Sequence, residues 1–457
     1  MKLAIFPLAR STFDMALAEQ VYSEKMGVLE QLNLELICPQ NILLDEDDAQ
    51  DFIKYLSEIE FDAILILQLT FRDAETICKI GSEFEHPITI WATNEPRDGD
   101  RLRLNSFCGL NLASHALGLR NRDFNWIYKN PSKTTSDDLI SALDGIDRKR
   151  REFQPTGPLE NHTWENKSNE AFKIGLLGEH PPGFDTCKYS DQSLDNIFNT
   201  QITQFTLDEL FKSAETSSEE EVIQIRESLS HVAGLDGVDQ KELNKSLKLK
   251  LALEDLQKQQ SLDAFAIRCW PETFTKYGAA ICGPVSLMGE KKIPCACEAD
   301  VMGALSQLYL QKITQEPTFL VDLVDMDVSD DTGVVWHCGQ APFSMRNPSY
   351  DIEATVHTNR KKPLLFQFPL KKGDITLFRI TQSLGSLRVI KINGEVLEKP
   401  MAYTGTSGVI KFDNDVQKVL EGLIEERIEH HLILAYGKHD SEINKFASEF
   451  GLSVLEL

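Results

Sequence analysis

Nowhere in this chain do apolar residues run for the ~20 consecutive positions that a bilayer-crossing helix needs, which argues against a membrane protein. Cations are scarce as well: 47 Lys and Arg stand against 71 Asp and Glu, a formal charge of −24. Nucleic-acid phosphates demand the opposite balance, so nucleic acid is excluded as a partner. The one basic run, RKRR at 148–151, follows the amphipathic DDLISALDGID and reads as a solvated helix end. Nine cysteines, odd in number and scattered, are not the even framework of a small secreted domain. Cys295 and Cys297 lack a second pair at zinc-finger spacing, so buried thiols are the expectation. Missing too are GxxxxGK[ST], GxSxG and a GxGxxG after a strand, which removes the usual phosphate cradle, nucleophile elbow and dinucleotide turn. The N-terminal MKLAIFPLARSTFDM carries one Lys, is interrupted by Arg10 and offers no small-residue cleavage site. It reads as a first strand, and the protein is expected in the cytoplasm.

What is present is a folded chain: 42% hydrophobic and 8% aromatic residues over 457 positions, a length that suggests about three domains at roughly 150 residues each. Up to about residue 130, apolar runs (KLAIFPL, LELICP, DAILILQL, PITIWAT) alternate with helical patterns (FDMALAEQVYSEKMGVLEQL, DAQDFIKYLSEI). That rhythm predicts βαβ units on a parallel sheet, a doubly wound domain. The acidic DEDD at 45–48 opens one of its helices. A polar stretch with Pro155, Gly157 and Pro158, ending near 169, reads as a linker.

The pattern restarts at FKIGLLG, passes through a charged and mostly helical region to about 260, and continues with DAFAIRCW, KIPCACE and FLVDLVD as further strands. The helix DVMGALSQLYLQKI lies between the last two. From about 351, shorter β segments (PLLFQFPL, DITLFRI, LRVIKINGEVL, GVIKF) predict an antiparallel sheet or small barrel. The expected units are therefore 1–169, 170–350 and 351–457, in an α/β chain with a β-rich C-terminal part.

In open α/β sheets ligands bind beyond the carboxyl ends of the strands. Glu298, where KIPCAC gives way to a helix near Asp300, and Asp322, in the run TFLVDLVD, are the carboxylates placed there. The alternative is that Glu298 caps its helix and Asp322 starts a turn. Beyond them lie His337 in WHCG and the adjacent His430 and His431 just before a strand. Adjacent residues in a strand project to opposite faces, so one of the two His is expected at any given site. Two carboxylates with one or two imidazoles suit Mn²⁺ or a similar ion. Such a set can polarise a hydroxy-carbonyl compound while a carboxylate moves a proton, so proton abstraction beside a carbonyl is the leading reaction class.

The stretch CWPETFTKYGAAICGPVSLMGEKKIPCACEADVMGAL resembles the L-fucose isomerase-like family, relatives of the fucose and arabinose isomerases that include sulfoquinovose isomerases. The likeness recurs in order through TFRDAETI, PITIWATNEPRDGDRLRLNSFCGLNLASHAL, PPGFDTC, WHCGQAP and HHLILAYG, nearly the whole chain. It implies two Rossmann-like doubly wound domains followed by a C-terminal barrel-like domain. It also implies a metal-dependent aldose–ketose isomerase working by cis-enediol proton transfer. By the same resemblance Glu298, Asp322 and His431 would be Mn²⁺ ligands, with Glu298 and Asp322 as the acid/base pair and His337 an additional active-site histidine. Asp325 is the fallback if the register at FLVDLVDMD is three residues off.

Family members form homo-oligomers, trimers or hexamers, in which a neighbour's N-terminal domain covers the site. Trp91 could then stack on a sugar face while Asn94, Arg101 or Asn105 bind hydroxyls, unless that loop is merely structured by its own ion pairs. Arg10, Trp270 and Glu272 are further candidates of the same kind. A hexose, a pentose or a sulfosugar would fit the family; a sulfonate would call on two of Arg10, Arg72, Arg97, Arg101 and Arg103. Two other readings are a non-catalytic sugar sensor on the same fold and a metal-dependent aldolase or lyase.

Overall fold

The computed structural model describes residues 1–144 and 171–457, a mixed α/β fold with two parallel sheets and one large mixed sheet. The basic run at 148–151 and the linker read as ending near 169 lie outside the described residues. In the first sheet the strands run in the order Glu35–Ile37, Lys2–Leu8, Ala63–Gln68, Ile88–Ala92, Asn125–Tyr128, all parallel. Their continuous apolarity has a direct cause. Ala4, Phe6 and Leu8 join one core cluster while Leu3 and Ile5, pointing the other way, join another, so both faces are buried. The helix Glu46–Leu56 begins in the acidic tract, with Asp45 accepting the backbone N–H of Asp48 at 3.0 Å.

The second sheet repeats the start of that order, Thr200–Phe205, Phe172–Leu177, Ala264–Ile267, Cys295–Ala296. Its edge strand Thr200–Phe205 falls in the region that reads as helical. The sequence TQITQF is half exposed and carries little apolar signal.

Strand Phe319–Asp327 departs from the sequence reading. It is apolar enough to pass for another buried parallel strand, because the helices Ser106–Leu119 and Val301–Thr314 both pack against it. It pairs instead antiparallel with Thr332–His337 on one side and His431–Tyr436 on the other. The nine-stranded sheet thus draws strands from both sides of residue 350, where the pattern places a boundary. Within that sheet Thr406–Phe412 pairs with both Thr332–His337 and Arg388–Val396. Six antiparallel strands therefore close into a ring, which removes their free edges.

Gly339 shows how tightly the loop beyond His337 is packed. Its φ is +69°, and a Cβ there would stand 2.7 Å from the Phe366 carbonyl oxygen and 2.8 Å from its nitrogen. Gly339→Ala is expected to destabilise the fold by roughly 1–3 kcal/mol through combined backbone strain and overpacking. A urea-unfolding midpoint equal to that of the parent chain would refute this packing.

Candidate functional site

Glu298 follows the short strand Cys295–Ala296, and both it and Ala299 have φ of 57°. Non-glycine residues rarely adopt this left-handed backbone, and where it persists it tends to mark a functional turn. The turn aims the carboxylate at three groups. Oε1 accepts the Trp270 indole N–H at 2.9 Å, while Oε2 lies 3.0 Å from His430 Nε2 and 3.7 Å from His431 Nε2. Asp322 stands directly opposite His431 in the antiparallel ladder, a register that holds paired Cβ atoms about 5 Å apart. Its Oδ1 is 3.6 Å from His431 Nε2 and is buried without a hydrogen-bond partner among the described residues.

Behind His431, Nδ1 meets Asp300 Oδ2 at 2.9 Å, and Asp300 is gripped in turn by Arg379 at 2.7 and 3.0 Å. All three side chains are buried. His337 closes another side, its ring 5.9 Å from that of His431. Its Nδ1 accepts the Cys338 backbone N–H at 2.8 Å, so its proton sits on Nε2, a buried atom without a partner among the described residues.

Burial pushes the Asp322 carboxyl up, and the Glu298 charge adds to that against the pull of the two imidazoles. Burial acts on Glu298 in the same direction, but the His430 hydrogen bond and the charges of His430 and His431 outweigh it and hold that carboxyl below its ordinary value. Two carboxyls separated in this way are suited to divide acid and base roles. Burial and the neighbouring His430 together draw His431 down, while the Glu298 hydrogen bond lifts His430 against its own burial.

The donor chemistry fits a divalent ion. Asp322 with His430 and His431, and Glu298 with Cys187 and His431, each gather ligand atoms within 4.8 Å of one another. The first group, a carboxylate with two imidazoles, offers the mixed oxygen and nitrogen donors that a divalent ion such as Mn²⁺ accepts. The buried, unpartnered Asp322 Oδ1 and His430 Nδ1 are atoms that an ion or substrate would satisfy.

Of the residues singled out from sequence, Glu298, Asp322, His337, Arg10, Asn105 and Trp270 line one pocket, with His431 packed behind it. The others are elsewhere. Trp91 lies within a buried strand with its indole N–H on the Lys129 carbonyl at 2.9 Å, so it cannot stack on a sugar. Asn94 donates to Asp325 and to the Met326 carbonyl, and Arg101 pairs with Asp14 at 3.5 Å. Asp325 is not a substitute for Asp322, because it receives the Glu95 backbone N–H, Arg97 and the Tyr128 hydroxyl, away from the pocket. Arg72 is tied to Glu46 and Thr76, Arg97 to Asp325, and Arg103 to Asp14. Glu272 pairs with Arg268.

Several participants escaped the sequence reading. His430 precedes the strand that starts at His431, so strand alternation does not separate the two; their rings lie 3.8 Å apart and both reach Glu298. Asp300 is legible in sequence as the start of a helix and nothing more. Arg360 lines the pocket from a loop with no recognisable pattern. Cys269 and Cys297, 28 residues apart, are joined as a disulfide where adjacent strands end, which corrects the expectation of thiols for these two. The other seven cysteines are free.

A cleft of about 830 Å³ lies between the helices Ser136–Leu143 and Val416–Glu425. Its charges include the salt-bridged pair Lys129 and Asp138. The smaller pocket holding Glu298 carries the unpartnered polar atoms and the coupled carboxylates, and is taken as the site on those grounds.

Residues 4–146 match the family described as fucose/sulfoquinovose isomerase, N-terminal domain. Sulfoquinovose isomerase of Priestia aryabhattai is 30% identical over 433 residues, 94% of this chain and 93% of the relative. That of Alkalicoccus urumqiensis is 29% identical over 99% of this chain and 98% of its own, and that of Clostridium sp. (strain MSTE9) 28% identical over 97% and 96%. No helix among the described residues is long and apolar enough to cross a membrane. The chain belongs to the fucose/sulfoquinovose isomerase family and is an aldose–ketose isomerase.

Proposed function

We propose that the chain isomerises sulfoquinovose, in its open-chain aldose form, to the 2-ketose with the help of Mn²⁺ or a similar divalent ion. The observation that carries this reading is the polarity of the pocket. Glu298, Asp322 and His430 line it together with two guanidiniums, Arg10 and Arg360, that both flank the Trp270 ring. Arg10 and Arg360 lie 5.4 and 5.2 Å from that ring, whose N–H is bonded to Glu298. Arg10 is held by Asp73 at 2.6 Å, whereas Arg360 has no carboxylate partner among the described residues. Burial, with the charge of Arg10 added, holds the Arg360 guanidinium below its ordinary value, so an anion placed between the two would be welcome. A sulfonate offers three acceptor oxygens to such a pair. The names of the relatives point to the same sugar.

In this reading Glu298, Asp322 and His431 hold the ion. A divalent ion bound there would act as a Lewis acid on the C1 and C2 oxygens and acidify the C2 proton. Glu298, oriented by the Trp270 and His430 hydrogen bonds, removes that proton and later returns it to C1. Asp322, ionised as a ligand of the ion, takes the proton that leaves O2 and passes it to O1, so that the enediol closes to the ketone. His337, with its proton on Nε2, donates to a sugar hydroxyl.

Purified protein stripped with chelator and then resupplied with Mn²⁺ should turn sulfoquinovose into a ketose, with deuterium entering from D₂O. Equal turnover by stripped and resupplied protein would defeat the metal reading, and turnover of neutral hexoses alone would defeat the sulfosugar. Glu298→Gln should leave the unfolding transition in place and lower kcat by about 10²–10⁴-fold; substantial residual activity would sink its role as base. Arg360→Met should raise KM for sulfoquinovose about 10–100-fold, the range expected for losing a charge-assisted hydrogen bond. An unchanged KM would remove Arg360 from anion binding.

A further inference from the structure

We infer that Asp300 and Arg379 are positioning residues that fix the ring tautomer of His431 and thereby the affinity of the site for its divalent ion, an inference that rests on the metal reading above. Every acceptor direction of Asp300 is engaged. Oδ1 takes the Gly303 backbone N–H at 2.8 Å and Arg379 Nη2 at 3.0 Å, while Oδ2 takes Arg379 Nη1 at 2.7 Å and faces His431 Nδ1 at 2.9 Å. A carboxylate surrounded by three such donors has only acceptors to offer, so the proton of a neutral His431 must lie on Nδ1. Nε2 is then left with its lone pair, and this is the atom 3.6 Å from Asp322 Oδ1 and 3.7 Å from Glu298 Oε2.

Arg379 adds a second constraint. Fully buried on the strand Gly373–Thr381, it also donates to the His431 carbonyl at 3.1 Å and to the Thr186 carbonyl at 3.3 Å, with Glu429 at 3.6 Å from its Nε. It therefore holds both the backbone of His431 and the carboxylate that orients the ring. Carboxylate partners of this kind set ring orientation and raise ligand basicity in metal sites generally, and losing one typically costs 10–100-fold in metal affinity.

The deciding variant is Asp300→Asn combined with Arg379→Met. Removing both charges leaves neither Asp300 nor Arg379 buried alone, and Glu429, which loses its neighbouring cation, keeps the Thr381 hydroxyl and the Gln382 backbone N–H. The Asn oxygen still caps the helix at Gly303, which turns its NH₂ toward His431 Nδ1 and drives the ring proton to Nε2. Mn²⁺ titrated into chelator-stripped protein and followed by electron paramagnetic resonance should bind the double variant 10–100-fold more weakly than the parent chain. Saturating Mn²⁺ should restore part of the lost turnover, as a general loss of structure would not. Equal Mn²⁺ affinity in a folded variant would overturn the inference while leaving the metal reading intact; a parent chain that binds no divalent ion would overturn both. Independently of any variant, ¹⁵N spectra of the His431 ring in the ion-free parent chain should show Nδ1 protonated. Protonation at Nε2 would overturn the assignment even if the variant fails to fold.

Discussion

A guanidinium sealed inside the protein is the constraint on which the surrounding structure depends. Removing Arg379 from water costs several kcal/mol, which well-placed acceptors on Nη1 and Nη2, and the Glu429 charge 3.6 Å from Nε, must offset. Those acceptors come from separate parts of the chain: Asp300 after the second parallel sheet, Thr186 from a loop of that same unit, and the His431 carbonyl from a strand of the six-stranded ring. Satisfying that charge thus ties the placement of the sheet to that of the ring. That placement brings Glu298, two residues before Asp300, against Asp322 and His431, which face each other across two strands of the ring.

A second buried hub joins the first sheet to the ring. Asp325 receives Asn94, the Glu95 backbone N–H, Arg97 and the Tyr128 hydroxyl. Glu95 accepts the backbone N–H groups of Arg103, Leu104 and Asn105 ahead of the helix Ser106–Leu119, and burial raises its carboxyl to about 7 in spite of those bonds. Between them these two acids anchor the 94–105 loop, which puts Asn105 in the same pocket as Glu298. The polar residues that look in sequence like sugar contacts are thus largely the fastening of one unit to another. The pocket they help to form carries two guanidiniums beside two carboxylates, in a chain of charge −24. Net charge governs long-range steering and solubility, whereas a pocket is read by the few groups that line it.

Much of the fold was legible because its cause is local. Strands buried on both faces announce themselves as continuous apolar runs, and Glu298 sits where the general rule for α/β sheets places a functional carboxylate. The errors have equally physical origins. Phe319–Asp327 is buried on both faces by helices and so imitates a parallel strand, although it is antiparallel to both neighbours. Trp91 belongs to a polar-looking stretch, yet its ring is inside the first sheet's core. His430 was set aside by strand alternation, a rule that stops applying one residue before the strand begins.

By itself the sequence determined the chemistry available to this protein: two carboxylates and a histidine in or beside apolar segments, an odd cysteine set, and apolar periods sufficient to specify α/β and β-rich segments. These follow from side-chain identity and near-neighbour spacing, which the chain carries from the outset. Only the tertiary structure decided which of those groups work together, that His430 and Arg360 join them, and that Asp300 faces an imidazole as well as capping a helix. The partners of Asp300 lie 79 and 131 residues away in the chain. Contacts at such separations arise from strand register and buried-charge matching, and no local pattern encodes them.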